Sequence, residues 1–189
     1  KFKISKEKIK VYPVFENLKN NNHNKSNSFI YPTTISKHKN NLRLLKAFVQ
    51  SANQIPNLSF NLKITISNTP ETEKVMLNAS KNLTVDFLGS LSREDAIDEI
   101  SKAKFLIYPS LTESFWLPLI EGCQLGCYII CSDLPYVHEI IRPSLTFDPY
   151  SVNSISKMIN QSLQDKNLIF TEMKIESATQ LILNEITHV

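Results

Sequence analysis

The stretch from Phe105 to Cys131 limits the possible folds more than any other part of the chain. It opens on a short apolar run, Phe105-Leu106-Ile107-Tyr108, which reads as a strand. Polar residues then break the pattern, and Pro118 opens a second one. Proline suits the first turn of a helix, where its missing N–H would be unpaired anyway. Leu119, Ile120, Cys123 and Leu125 continue an apolar face, and Gly126 stands where a helix end calls for glycine. Cys127-Tyr128-Ile129-Ile130-Cys131 is apolar without alternation, the mark of a buried strand in a parallel sheet. Strand, loop, helix and strand form one βαβ unit, with its loop at the carboxyl end of a strand. Open α/β sheets bind ligands at such ends.

Two carboxylates bracket that loop and the first helical turn: Glu113 in the loop and Glu121 inside the helix. Between them run the backbone N–H groups of Ser114, Phe115, Trp116 and Leu117. A helix N-terminus carries unpaired donors and partial positive charge, so it attracts phosphate. Carboxylates accept hydrogen bonds from sugar hydroxyls. A ligand with a hydroxylated ring at each end of a phosphate bridge satisfies all three features, and a nucleotide-sugar has that form.

The segment Glu113-Ser114-Phe115-Trp116-Leu117-Pro118-Leu119-Ile120-Glu121 resembles the E-x7-E motif of the retaining GT-B glycosyltransferases known as group 1 or family 4. The likeness continues through Ser132-Asp133-Leu134-Pro135-Tyr136-Val137-His138-Glu139 and Phe147-Asp148-Pro149, and upstream through His38-Lys39-Asn40 and Phe87-Leu88-Gly89. It covers roughly residues 29–165, one domain by ordinary size. The resemblance implies that Glu113 contacts the transferred sugar and Glu121 holds the ribose hydroxyls. It implies that Lys39 and the amides of Ser114 to Leu117 hold the diphosphate, and that Ser90 and Leu91 line the base. The donor is then an NDP-sugar, with no metal or other cofactor. The acceptor is a glycan or a lipid-linked molecule, brought by an N-terminal domain that this chain lacks.

Two positions depart from the family pattern. Trp116 stands where the family usually has Gly, which lets backbone approach a ligand closely. Its indole has three readings: it narrows the pocket, it stacks on a sugar or base, or it marks a lost activity. The family also places an Arg ahead of the Lys, in a Gly-containing loop. Here Thr33-Thr34-Ile35-Ser36-Lys37-His38-Lys39 has neither, and Lys37 is the residue left to substitute.

The rest of the chain fits an α/β expectation: a three-layer Rossmann-like domain with a parallel sheet flanked by helices, one half of a GT-B fold. Residues 1–28 read as an N-terminal strand, around Ile9 to Val14, and an Asn-rich linker from the missing domain. Residues 29–165 read as the nucleotide-sugar-binding domain, and 166–189 as a C-terminal helix, amphipathic from Thr171 to Ile186. Strands are expected at Ser28 to Tyr31, Phe60 to Ser67, Val85 to Gly89 and Leu145 to Phe147. Helix caps are expected at Asn40 or Asn41, Thr69, Ser92 and Asp148, with Pro70 and Pro149 in first turns. Strand and helix alternate at least five times, which argues for a parallel sheet.

Composition excludes several classes. The chain begins without Met, as a fragment would, and no apolar run reaches the length of a membrane span. Its basic, alternating start is no signal peptide. Glycine occurs only at 89, 122 and 126, so no dinucleotide or P-loop fingerprint exists. Cys123, Cys127 and Cys131 read as buried thiols rather than a zinc site, which needs four ligands, and fit a reducing cytoplasm. Residues 1–50 carry a net +9 and the remainder −6. The basic half suits phosphate or the anionic inner face of a membrane, but nothing interleaves aromatics with it as nucleic-acid binding needs.

Paired acids also serve glycosidases, which need them facing across one cleft. Glu121 within a helix and Glu113 before it suit a binding pair better. His38 and His138 have no Ser or Cys partner at a readable spacing. The leading expectation is therefore a hexosyltransferase fragment, inactive by itself. A catalytically inactive GT-B-like binding or scaffold protein is the alternative. A GT-B sugar epimerase is a weaker third reading.

Overall fold

The first apolar run becomes β1 (Ser26–Tyr31), at the heart of a six-stranded sheet in the computed structural model, which describes residues 15–19 and 25–176. The other strands of the sheet are β2 (Phe60–Ile64), β3 (Leu83–Phe87), β4 (Ala103–Tyr108), β5 (Tyr128–Ser132) and β7 (Leu145–Phe147). Their order is β3-β2-β1-β4-β5-β7, and every pairing is parallel. The chain thus runs outward one way from β1 to β3, returns, and runs the other way from β4. The exits of β1 and β4, side by side, form the switch point at which doubly wound sheets bind ligands.

Among the described residues, six α-helices accompany the strands: α1 (Asn41–Gln54), α2 (Pro70–Met76), α3 (Arg93–Lys102), α4 (Leu117–Gln124), α5 (Pro135–Ile140) and α6 (Val152–Gln164). α1 packs on α2 and α6, and α3 packs on α4. The sheet between them is the core. Phe29, Ile30, Leu62, Ile64, Phe105, Leu106, Ile107, Ile129 and Ile130 are all buried. Phe29 stacks on Phe105 at 4.8 Å between centroids and meets Phe48 of α1 edge-on at 5.1 Å. These are the apolar runs without alternation that a sheet covered on both faces requires.

The expected caps at Thr69 and Ser92 hold. Thr69 accepts from the Thr72 amide in a capping box, and Ser92 accepts from the Asp95 amide at 3.1 Å. Pro118 sits in the first turn of α4, and Gly126 ends that connection with φ +74°. Two expectations need correcting. α6 is capped by Ser151, whose hydroxyl accepts from Ser154 N at 3.2 Å, not by Asp148 and Pro149. Asp148 instead closes a turn onto the Tyr150 amide at 2.9 Å. Asn40 occupies the position before α1 but makes no side-chain cap bond.

β6 (Ile141–Arg142) and β8 (Glu172–Met173) pair antiparallel at the sheet's flank. β8 thus takes residues read as the start of a terminal helix, and 177–189, the remainder, lie outside the described residues. So does the strand expected at Ile9 to Val14.

Gly122 brings α4 close to the sheet. A methyl group there would come within 2.7 Å of Leu106 Cδ1 and 3.4 Å of Leu106 Cβ. That close approach seats α4 directly on β4 and β5, with its N-terminus following the loop from β4.

Candidate functional site at the switch point

Two carboxylate–cation pairs stand at the carboxyl end of the sheet. Lys39 Nζ donates to both oxygens of Glu113, at 2.7 and 2.8 Å. Arg93 Nη1 donates to Glu121 Oε1 at 2.6 Å. Between them in sequence lies the N-terminus of α4, where Trp116 takes the cap position without a side-chain bond. Its leading amides keep their partial positive charge.

The first pair is held by a polar net that sequence spacing does not announce. Tyr31 ends β1 and Tyr108 ends β4. The Tyr31 hydroxyl donates to the Lys39 carbonyl at 2.7 Å and shares a 3.0 Å bond with Ser110 Oγ. Leu111 N donates to the His38 carbonyl at 2.8 Å. Asn40 adopts a left-handed conformation, φ +61°, and its amide nitrogen donates to the carbonyls of Pro109 (3.2 Å) and Pro149 (2.7 Å). Asparagine tolerates that conformation better than most residues. The short 3-10 turn Lys37–Lys39 is therefore stitched to the loop after β4, and Lys39 is delivered to Glu113.

Three phenols feel that carboxylate. Burial is the main cause that pushes the Tyr31, Tyr108 and Tyr136 hydroxyls well above the ordinary tyrosine range, and the Glu113 charge adds to it. Tyr136 donates to the Ser110 carbonyl at 2.9 Å. The Tyr108 hydroxyl is buried without a well-formed hydrogen bond among the described residues, although Glu113 lies near enough to act on it electrostatically.

Ser90 and Leu91 line a groove of about 350 Å³ with Thr33, Thr34, Thr65 and Ala96, at the exits of β1, β2 and β3. Thr65 Oγ1 ties the β1 and β2 exits together, accepting from Thr33 N at 2.6 Å and donating to the Thr33 carbonyl at 2.8 Å. Phe115 is exposed. Trp116 is half-buried and packs on the core, with its Nε1 lacking a partner among the described residues. Ser114 and Leu117 flank these two at the head of α4.

The cysteines are free thiols; Cys127 and Cys131 are buried and Cys123 partly so. Among the described residues no group of three or more His, Cys, Asp or Glu is placed to hold a metal ion. None of the helices among them is long and apolar enough to cross a membrane. His138 contacts Asp133 at 2.7 Å on the surface, and the His38 ring contacts Ser36.

Arg93, Tyr31, Tyr108 and Asn40 were not singled out for the site by sequence reasoning. One signal for Arg93 was available. It opens a helix, where a cation opposes the helix dipole, so its presence calls for a partner elsewhere.

The fold is that of glycosyltransferase domains. The catalytic domain of cholesterol-α-glucosyltransferase from Helicobacter pylori matches with a TM-score of 0.58 at 18% identity, over 75% of this chain and 89% of that one. S. aureus TarM matches with a TM-score of 0.66 at 13% identity, over 80% and 31%. The pneumococcal O-GlcNAc transferase GtfA, solved with UDP and GlcNAc, matches with a TM-score of 0.60 at 18% identity, over 82% and 32%. The chain belongs to the group 1 glycosyl transferases, whose family pattern it matches over residues 14–180. Its relatives include the O-antigen chain mannosyltransferase B of Escherichia coli, 35% identical over 43% of this chain and 22% of that protein. The O-antigen chain mannosyltransferase RfbU of Salmonella typhimurium is 30% identical over 54% of this chain and 31% of its own length. The chain thus spans less than a third of these curated relatives.

Proposed function

We propose that this chain is the donor-binding half of a retaining hexosyltransferase that uses an NDP-sugar. One observation carries the reading: two acids, Glu113 and Glu121, flank the uncapped N-terminus of α4 at the switch point, each matched by a cation. The diphosphate rests on the amides of Ser114 to Leu117 and on Lys39. Glu121 accepts from the ribose hydroxyls, Glu113 from the transferred sugar, and the base lies in the groove beside Ser90 and Leu91. In the transfer, the bond from the anomeric carbon to the phosphate oxygen breaks and one to an acceptor oxygen forms. The nucleoside diphosphate leaves with the bonding electrons, and the acceptor hydroxyl gives up its proton. No metal is assigned to this step. The acceptor, a glycan or lipid-linked molecule, is brought by a second domain, so these residues bind the donor weakly and transfer nothing alone. The mannosyltransferases among the relatives make a mannosyl donor the first to try.

Trp116 is the single tryptophan of the chain and heads α4, so its fluorescence reports on the site directly. Titration with UDP-, GDP- and ADP-sugars should change that emission for one base, and Glu121→Gln should weaken the response. An emission unaffected by every nucleotide-sugar would overturn the donor-site reading.

The second reading is an inactive GT-B-like binding or scaffold protein. Trp116 favours it, because a tryptophan stands in the sequence where a small residue would let backbone meet a ligand. Trp116→Gly in the complete protein discriminates: a gain in nucleotide affinity marks a degenerate site.

A further inference from the structure

The proposed donor site includes a cation with no role yet. Arg93 opens α3, where its charge opposes the helix dipole. Its guanidinium reaches Glu121 Oε1 at 2.6 Å through Nη1 and Glu16 Oε2 at 3.5 Å through Nη2. The two partners differ in freedom: the Arg93 side chain is 47% exposed and that of Glu121 only 10%. Glu121 is fixed, and Arg93 can turn. One turn along the same face of α3, Ala96 lines the groove beside Ser90 and Leu91. Arg93 therefore lies one helical turn from a residue of that groove while its guanidinium contacts the carboxylate of α4.

Charge balance defines its task. Each carboxylate is matched by one cation: Lys39 for Glu113 and Arg93 for Glu121. A nucleoside diphosphate adds negative charge beside both acids. Lys39 offers one compact ammonium against it, already shared with Glu113. A guanidinium offers five donors in a planar fork suited to phosphate oxygens, and Glu121 engages one of its nitrogens.

We propose that Arg93 is a phosphate ligand of the donor. On binding, its guanidinium leaves Glu16 and turns from Glu121 to the phosphate oxygens of a nucleoside diphosphate, which frees Glu121 to accept the ribose hydroxyls. The inference rests on the donor-site reading above and adds to it a second cation from a different loop.

Calorimetry on this 189-residue chain tests it, with UDP, GDP and ADP as probes, each beside its monophosphate and its nucleoside. Weak ligands are read by displacement of the bound diphosphate. For the base that binds, Arg93→Gln should weaken the diphosphate about tenfold, the scale of one charge-assisted contact. It should weaken the monophosphate less and should not weaken the nucleoside. Arg93→Lys should recover part of the loss, and added salt should weaken the native chain more than Arg93→Gln. Circular dichroism of each variant confirms that it is folded. An equal loss across diphosphate, monophosphate and nucleoside would make Arg93 an orienter of Glu121 and overturn the proposal, as would no loss at all. If the native chain binds none of these probes, the donor-site reading fails and this inference fails with it.

Discussion

The two ion pairs at the carboxyl end of the sheet look alike in sequence terms but differ physically. Lys39–Glu113 is the inner pair. Its side chains are 17% and 6% exposed, and the ammonium contacts both carboxylate oxygens. The turn that carries Lys39 is bonded to Tyr31, Leu111, Pro109 and Pro149. Arg93–Glu121 is the outer pair, with one close contact and an arginine about half in water. A buried charge that loses its partner is costly, whereas an exposed cation that leaves its partner costs little. The inner pair is thus built as structure, while the outer pair is free to exchange partners. The acid that is tightly held is the one assigned to the reacting sugar, where position matters most.

The largest effect should come from breaking the inner pair. Lys39→Met strands Glu113 among three tyrosines and should cost about 3 kcal/mol in urea unfolding, with Glu113→Gln added on top recovering much of it. If the double variant is no more stable than Lys39→Met, the pair is not the source of the loss.

Asn40 comes next, since it ties the inner pair's turn to two loops. Asn40→Ala leaves the Pro109 and Pro149 carbonyls without their donor and puts a Cβ residue at φ +61° without the local bonds asparagine makes there. A loss of about 2 kcal/mol is expected. Asn40→Gly removes the same bonds but suits the backbone, so it should lose less. Equal losses would place the whole effect in the hydrogen bonds.

At the outer pair, Arg93→Ala should cost less than Lys39→Met, because Glu121 loses one contact where Glu113 loses two, and water can enter where the half-exposed Arg93 stood. A loss as large as that of Lys39→Met would erase the contrast between the pairs.

The smallest effect lies away from both. Burial pushes the Cys123 thiol up to about 11 from its ordinary value of 9.0. A raised folded-state value favours the protonated thiol in the native protein. Its contribution is complete below pH 9 and declines as the pH rises toward 11. Cys123→Ala should therefore flatten the alkaline fall in stability. An unchanged pH profile would assign that fall to Cys127, Cys131 and the tyrosines, whose values are also raised.

Much of the architecture was legible because its signals are local. The unbroken apolar runs at Phe105 and Tyr128 can only be buried on both faces, and Thr69, Ser92 and Pro118 announce helix starts by chemistry confined to one turn. The Asp148 cap misled because Ser151, three residues on, offers the same hydrogen bond to a helix that begins later. Thr171 onward has helical spacing, yet Glu172 and Met173 find a strand partner in Arg142 and Ile141. The site was legible residue by residue but not as pairs. Glu113 and Lys39 stand 74 residues apart, and Arg93 and Glu121 stand 28 apart. Only the placement of β1 beside β4, and of α3 beside α4, brings them together. The tyrosines at the ends of β1 and β4 read as strand residues, and the grip of Tyr31 on the Lys39 turn and on Ser110 appears only once the two strands are neighbours.

The central claim is that both acids serve one nucleotide-sugar laid across the head of α4. The most direct measurement follows backbone and side-chain resonances of the isotope-labelled chain during titration with UDP, GDP and ADP. The account predicts that for one base the signals of Lys39, Glu113, Glu121 and the amides of Ser114 to Leu117 shift together, with a single affinity. Shifts confined to other surfaces, or none for any base, would contradict it.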